Sequence, residues 1–271
     1  MGVKHAVYET LDRGPGRLLI GLAASAVSLA QGEPAWITYD SSSDLWLSRS
    51  RGGTMLMFDP REIGVEQRDA LVRDSFCYHY EVRPGDVVLE IGAGIGADAL
   101  VFSRMVGLSG KVFSVEAHPA TFAQLRRLCQ LNSWGNVAPV QAAVTDCDRP
   151  VTISDLPVAK SDENRLGATG VSVPGITITE LVSRFKLDRI DFMTMNIEGA
   201  EVAALEGARE ALPIVQNVSI SCHDFVANAT GDEAYRTKEK VHALLVEAGF
   251  NVFRRAADGR PWAGDFLYAS R

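Results

Sequence analysis

The chain has 271 residues, 46% of them hydrophobic and 23% charged, with a formal net charge of −7 at neutral pH. That length buries a substantial core, as one large domain or a domain with an appended segment. The acidic balance argues against a general polyanion binder, whose affinity rests on Lys and Arg meeting phosphates, so no nucleic-acid partner is expected. Cys77, Cys129, Cys147 and Cys222 are scattered and form no CxxC pair, which argues against a disulfide framework or a structural zinc site and fits a reducing, cytoplasmic setting.

The first 80 residues lack the strand–helix alternation that follows. The apolar stretch 18–30 is interrupted by Gly21, Ser25 and Ser28 and is too short for a membrane span, so it reads as a buried or capping helix within 17–31. Extended pieces follow at 36–39 and 55–58, then an amphipathic helix over 64–80. Residues 1–80 are therefore expected to form a cap segment, packed on a main domain over 81–271, where it covers a site or mediates a homodimer.

From Gly85 onward strands and helices alternate. Strands are expected at 87–91, 110–115, 137–144, 190–196 and 214–222, and helices at 97–106, 119–132, 200–211 and 238–248, with a closing strand pair at 251–255 and 265–269. The pattern predicts an α/β fold: a Rossmann-like, doubly wound, mainly parallel seven-stranded sheet with a closing antiparallel strand, plus the N-terminal cap. The long segment 146–174 is rich in Asp, Pro, Gly and Asn and falls at the carboxyl ends of the strands. It is expected to be a substrate-facing flap, offering Asp162 and Arg165 to an acceptor, or else a plain surface excursion.

The chemistry begins at Val87-Val88-Leu89-Glu90-Ile91-Gly92-Ala93-Gly94-Ile95-Gly96, an apolar strand that ends in an acid and breaks into a glycine-rich turn. The turn also satisfies the loose nicotinamide fingerprint GxGxxA, so an NAD-dependent oxidoreductase is one alternative. Glu90 counts against it, because a carboxylate there repels a pyrophosphate while suiting the ammonium of a phosphate-free ligand such as S-adenosylmethionine. Asp98 adds negative charge beside the turn. Both acids have a second reading as helix-capping carboxylates favoured by the macrodipole. Glu116 ends the next strand, where an acid accepts both ribose hydroxyls, and Ala142 and Ala143 are small enough for an adenine to lie flat. The expected cofactor set is therefore Glu90, Gly92, Gly94, Gly96, Asp98, Glu116, Ala142, Ala143 and Asn196.

The order of four blocks resembles the FkbM family of S-adenosylmethionine-dependent methyltransferases. The blocks are Leu89 to Gly96, Val115-Glu-Ala-His-Pro119, Leu131-Asn132 with Asn136-Val137, and Asn196-Ile-Glu-Gly-Ala-Glu201 with Leu205-Glu-Gly207. The resemblance implies O-methylation of a hydroxyl on a sugar, a polyketide or a related secondary metabolite. The chain departs from the family pattern at Asn196, commonly Asp there, and at Met195, often Lys. A catalytically silent cofactor-binding protein is the alternative that Asn196 suggests.

Strand ends place Asn196 and Glu198 beside His223 and Asp224. An oxygen-rich group with two carboxylates suits a hard divalent cation, with magnesium preferred, so Glu198, Asp224 and Asn196 are the expected metal ligands. Asp224 and Asn196 are also plausible helix caps. His223 is expected to be the general base, assisted by Glu198, and Glu201 to support them.

Overall fold

The computed structural model describes residues 14–62, 64–158, 160, 164–255 and 257–271; Asp162 lies outside the described residues. The cap opens with helix α1 (Gly16–Ala30), followed by an antiparallel sheet of β1 (Ala35–Asp40), β2 (Leu45–Ser50) and β3 (Gly53–Met57), and by helix α2 (Val65–Ser75). Strand β2 was not anticipated from the sequence. Its Leu45, Trp46, Leu47 and Ser48 are all buried, so the solvent-facing alternation that marks a half-exposed strand is missing. Trp46, Met55 and Met57 pack with Ile20 and Ile37, while Leu45, Leu47 and Leu56 pack with Ile95 of the glycine turn and with Leu128. The cap thus leans directly on the turn.

The main sheet has seven strands: β4 (Val87–Ile91), β5 (Lys111–Glu116), β6 (Val137–Gln141), β11 (Ile190–Met195), β12 (Val215–Ser221), β13 (Asn251–Phe253) and β14 (Phe266–Ser270). Their spatial order is β13-β14-β12-β11-β4-β5-β6, and only β14 runs antiparallel to its neighbours. This is the Rossmann-like, mainly parallel sheet with a closing reversed strand that the alternation predicts. The chain winds outward from β4 through β5 to β6, then returns to β11 on the other side of β4. The carboxyl ends of β4 and β11 therefore flank the topological switch point, where open α/β sheets bind ligands.

Strand alternation sorts the two faces. Val88, Val112, Val137 and Phe192 face Val72 of α2, helix α3 (Ala97–Val106) and Leu125 and Cys129 of helix α4 (Pro119–Leu131). Leu89, Ile91, Phe113 and Met193 face helices α5 (Ile178–Phe185), α6 (Glu201–Glu206) and α8 (Lys238–Glu247). Between α6 and α8 lies helix α7 (Asp224–Thr230).

Several expected elements end early, among them the helix expected over 64–80, which stops at Ser75, and the strand expected over 251–255, which stops at Phe253. The strand expected over 137–144 divides after Gln141, where Ala142 donates to the Glu116 carbonyl; Ala143–Val144 (β7) then pairs with Gly175–Ile176 (β10) in a separate ladder. Helix α6 stops at Glu206 because the Gly207 backbone passes so close to Thr145 that a Cβ there would sit 2.3 Å from its carbonyl oxygen. The flap is not wholly irregular, since Val151–Ile153 (β8) and Val171–Val173 (β9) form an antiparallel pair.

Asn132, just past α4, ties the cap to the sheet domain. Its Oδ1 accepts from the Thr54 N–H at 2.8 Å, and its Nδ2 donates to the Thr54 carbonyl at 2.9 Å and to the Leu128 carbonyl at 3.0 Å. Replacing Asn132 with Ala leaves backbone groups of β3 unpaired and is expected to lower the unfolding free energy by about 2 kcal/mol in urea titration. A change within error would show that the tether is dispensable.

Candidate active site

The glycine turn after β4 is shaped by three left-handed glycines. Gly92 (φ 84°) lies so near the end of β11 that a Cβ would stand 2.1 Å from the Asn196 carbonyl oxygen, and Gly96 (φ 94°) packs on Leu125. Gly94 (φ 55°) differs, because nothing lies within 4 Å of its would-be Cβ. It faces a cavity of about 370 Å³ whose wall includes Gly92–Gly94, Ile95, Glu116, Ala142–Val144, Asn196 and Glu198. A methyl group at Gly94 would fill part of this cradle, so the turn fits a ligand in close backbone contact.

Glu116 reaches the cavity with its carboxylate already ordered. Its Oε2 accepts the Gly94 N–H at 3.0 Å and its Oε1 accepts the His118 N–H at 2.8 Å. Burial raises its carboxyl above the ordinary value while those N–H donors pull it back. His118 is buried and ties the flap to this corner through Asp155, at 3.0 Å.

Glu90 does not line the cavity. Strand alternation turns its side chain to the Val88 face, under α3 and α4, where it sits opposite Ser114 and accepts from Ser114 Oγ at 2.5 Å. Burial and the nearby Asp98 charge push its carboxyl up to about 8, so it is largely protonated at neutral pH. Asp98 is in turn held by Arg68 of α2, Nε to Oδ1 2.5 Å. The expected crowd of negative charge at the turn is therefore corrected on both counts: Glu90 is a buried acid beneath the turn, and Asp98 is neutralised.

At the other end, three side chains form one line into the interior. Glu198 (φ 37°) lines the cavity with a side chain 22% exposed, and its Oε1 meets His223 Nε2 at 2.9 Å. His223, 3% exposed, holds Glu201 Oε1 through Nδ1 at 2.7 Å, and Glu201 is wholly buried. Glu201 Oε1 also accepts the Gly199 N–H at 3.1 Å. Burial alone would lower the His223 pKa, but hydrogen bonds to the two carboxylates, with their charges, outweigh it and lift the imidazole to about 9. His223 thus carries a proton at neutral pH with both ring nitrogens engaged and lies behind Glu198, so the expectation that it is the base is corrected.

The metal expectation is corrected too. Asp224 turns away from the cavity and caps α8, its Oδ1 accepting the N–H groups of Thr237 and Lys238 at 3.0 Å each. Glu198 is committed to His223, and Asn196 stands alone at the cavity wall. Among the described residues no group of three or more His, Cys, Asp or Glu side chains is placed to hold a metal, so the residues present do not fit a divalent cation.

Four cavity residues come from the cap and were not anticipated: Leu56, Phe58, Glu62 and Arg68. Arg68 had a signal, since it stands between Val65 and Val72 at helical spacing, a charge set within the inward stripe of an otherwise polar helix. From the flap, Arg165 lines the cavity and donates to the Tyr235 hydroxyl at 2.5 Å, while Tyr235 packs against Gly199.

Comparison with known proteins bears on this arrangement. Residues 90–252 match the methyltransferase FkbM domain. Hexuronic acid methyltransferase AglP of Haloferax volcanii is 24% identical over 144 residues, 53% of this chain and 58% of that protein. A protein-L-isoaspartate O-methyltransferase of Methanococcus maripaludis is 31% identical over 97 residues, 35% of this chain and 46% of that one. The chain thus spans about half the length of these curated relatives. Among solved structures, cofactor-bound Rv0187 from MTB superposes with a TM-score of 0.50 at 14% identity, covering 99% of this chain and 95% of that one, a likeness of fold. No helix among the described residues is long and apolar enough to cross a membrane.

The two raised groups give stability a pH signature. His223, ordinarily 6.5, is about 9 in the fold, so its contribution is present in full below 6.5 and is lost as pH rises through 9. Glu90, ordinarily 4.5, is about 8, so its burial costs progressively more from 4.5 up to about 8 and no more beyond. Urea unfolding is expected to show stability falling by roughly 4 to 5 kcal/mol between pH 6.5 and 9. Glu90→Gln should reduce the slope below 8 to the part that His223 carries and leave the part between 8 and 9, and a variant curve parallel to the wild type would refute the assignment.

Proposed function

The chain belongs to the FkbM family of S-adenosylmethionine-dependent methyltransferases, and on that premise we propose that it methylates a hydroxyl oxygen of a sugar or glycosylated metabolite. The nicotinamide alternative for the glycine turn falls with that membership. S-adenosylmethionine supplies, when bound, a methyl group on a sulfonium that an oxygen nucleophile attacks in line.

The chain's own groups divide the remaining work. Glu116 has lone pairs left after its two N–H bonds and faces the cavity, where it accepts ribose hydroxyls. Ala142, Ala143 and Val144 provide a flat wall for an adenine. Glu198 receives the acceptor's proton as the oxygen–methyl bond forms and the methyl–sulfur bond breaks, its electron pair returning to sulfur. His223 and Glu201 are positioning residues: the imidazolium fixes one oxygen of Glu198 and leaves the carboxylate facing the acceptor.

The single observation behind this reading is the Glu201–His223–Glu198 line ending at the cavity beside Asn196. A hexuronic acid methyltransferase among the relatives supports a saccharide acceptor. No metal enters this reading, because Asp224 caps α8 and one oxygen of Glu198 is held by His223.

Incubation with S-adenosylmethionine and a panel of hydroxylated sugars, followed by mass spectrometry, is expected to show one added methyl group, unaffected by EDTA. Glu198→Gln should lower kcat by about 10²- to 10⁴-fold. Methyl esters formed at a carboxylate, or turnover abolished by EDTA and restored by magnesium, would overturn the hydroxyl or the metal-free reading respectively.

A further inference from the structure

We propose that Arg68, in the cap and upstream of the matched family domain, binds the carboxylate of the cofactor's methionyl group. The assignment rests on the reading that the cavity takes S-adenosylmethionine.

Position is the first argument. Strands β6, β5, β4 and β11 are adjacent in that order, so the adenine wall, the ribose acid Glu116, the glycine turn and Glu198 occupy successive strand ends. An amino-acid tail leaving the ribose must pass the glycine turn, where the cavity is walled by Ile95, Ala97, Asp98 and Arg68.

Charge is the second. The tail carries a carboxylate and an ammonium. Among the described residues lining the cavity, the charged side chains are Glu62, Asp98, Glu116, Glu198, Arg68 and Arg165. Of the two cations, Arg165 lies on the flap and is exposed, donating to Tyr235. Arg68 is the more enclosed, with 30% of its side chain accessible, and it stands beside the turn. Its charge is held firmly by Asp98, which raises its pKa further.

Geometry is the third. A guanidinium presents five N–H groups in a rigid fork, and Arg68 spends only its Nε–H on Asp98. The side chain is part of the cavity wall, no hydrogen bond within the described residues engages its two Nη atoms, and neither is a buried orphan. That is the edge with which arginine takes a carboxylate bidentately. Asp98 sets its direction, as an anchored acid behind a binding cation.

The test compares two ligands by calorimetry: S-adenosylhomocysteine, which has the amino-acid tail, and 5′-methylthioadenosine, which lacks it. Arg68→Met keeps the stem and removes the fork. It is expected to weaken S-adenosylhomocysteine by roughly tenfold to a hundredfold and to leave 5′-methylthioadenosine unchanged. Arg68→Lys, which keeps the charge without the fork, should fall between, and it carries the test if the Met variant does not fold. Equal weakening of both ligands, or of neither, would overturn the Arg68 assignment while the cofactor reading stands. A wild-type chain that binds neither ligand would overturn the cofactor reading and this assignment with it.

Discussion

The architecture of the site depends on one backbone crossing. The turn after β4 and the end of β11 pass so closely at Gly92 and Asn196 that no side chain fits between them. The Asn196 N–H closes the crossing by donating to the Ile91 carbonyl at 3.0 Å. Because the two strand ends are held this way, the segment leaving β11 turns immediately, through Glu198 in a left-handed conformation and then Gly199, back towards the cavity. The glycine turn and the carboxylate proposed to accept the proton are therefore parts of one junction, and their separation does not rely on a loop. A left-handed glutamate stores local strain, which is tolerated where the surroundings hold it, here through His223 and the packing of Tyr235 on Gly199.

Five acids lie around this junction, and the structure gives each a different electrostatic fate. Glu90 is removed from water and keeps its proton. Asp98 is matched by an arginine. Glu116 is satisfied by backbone N–H groups, which leaves it a hydrogen-bond acceptor. Glu198 and Glu201 share one imidazolium, with Glu198 on the cavity side and Glu201 in the interior. A cluster that looks uniformly negative along the chain is thus divided into a protonated acid, acids paired with cations and one satisfied by backbone N–H groups.

Much of the fold was legible because periodicity reports burial. Strand β4 and helix α3 match their expected limits, since an apolar run followed by glycines and then an apolar helical stripe has few other solutions. The glycine spacing and Glu116 were legible for the same local reason. What failed was everything set by the direction of a side chain or by a distant partner. Glu90 precedes Gly92 by two residues, but alternation sends it beneath the sheet. Asp224 follows a strand that ends at the site, yet its nearest backbone donors begin another helix. His223 has an ordinary imidazole's expectation until two carboxylates, 22 and 25 residues earlier in the chain, are folded against it. Arg68 stands in the inward stripe of its helix, but the partner that fixes it, Asp98, lies 30 residues away.

The flap is fastened at both ends of the cavity by different kinds of contact. At the ribose corner, His118 holds Asp155; at the reacting end, Arg165 holds Tyr235. Each pairs a buried partner with an exposed one, and an exposed partner contributes little to holding the chain in place. Both fastenings lie on the loop between β8 and β9, where the Ser154 N–H donates to the Arg165 carbonyl at 2.9 Å and the Arg165 N–H donates to Ser154 Oγ at 3.0 Å, so the two are joined through the backbone. A cover built this way joins the two ends of the cavity through a single loop, so a change at one contact is passed to the other.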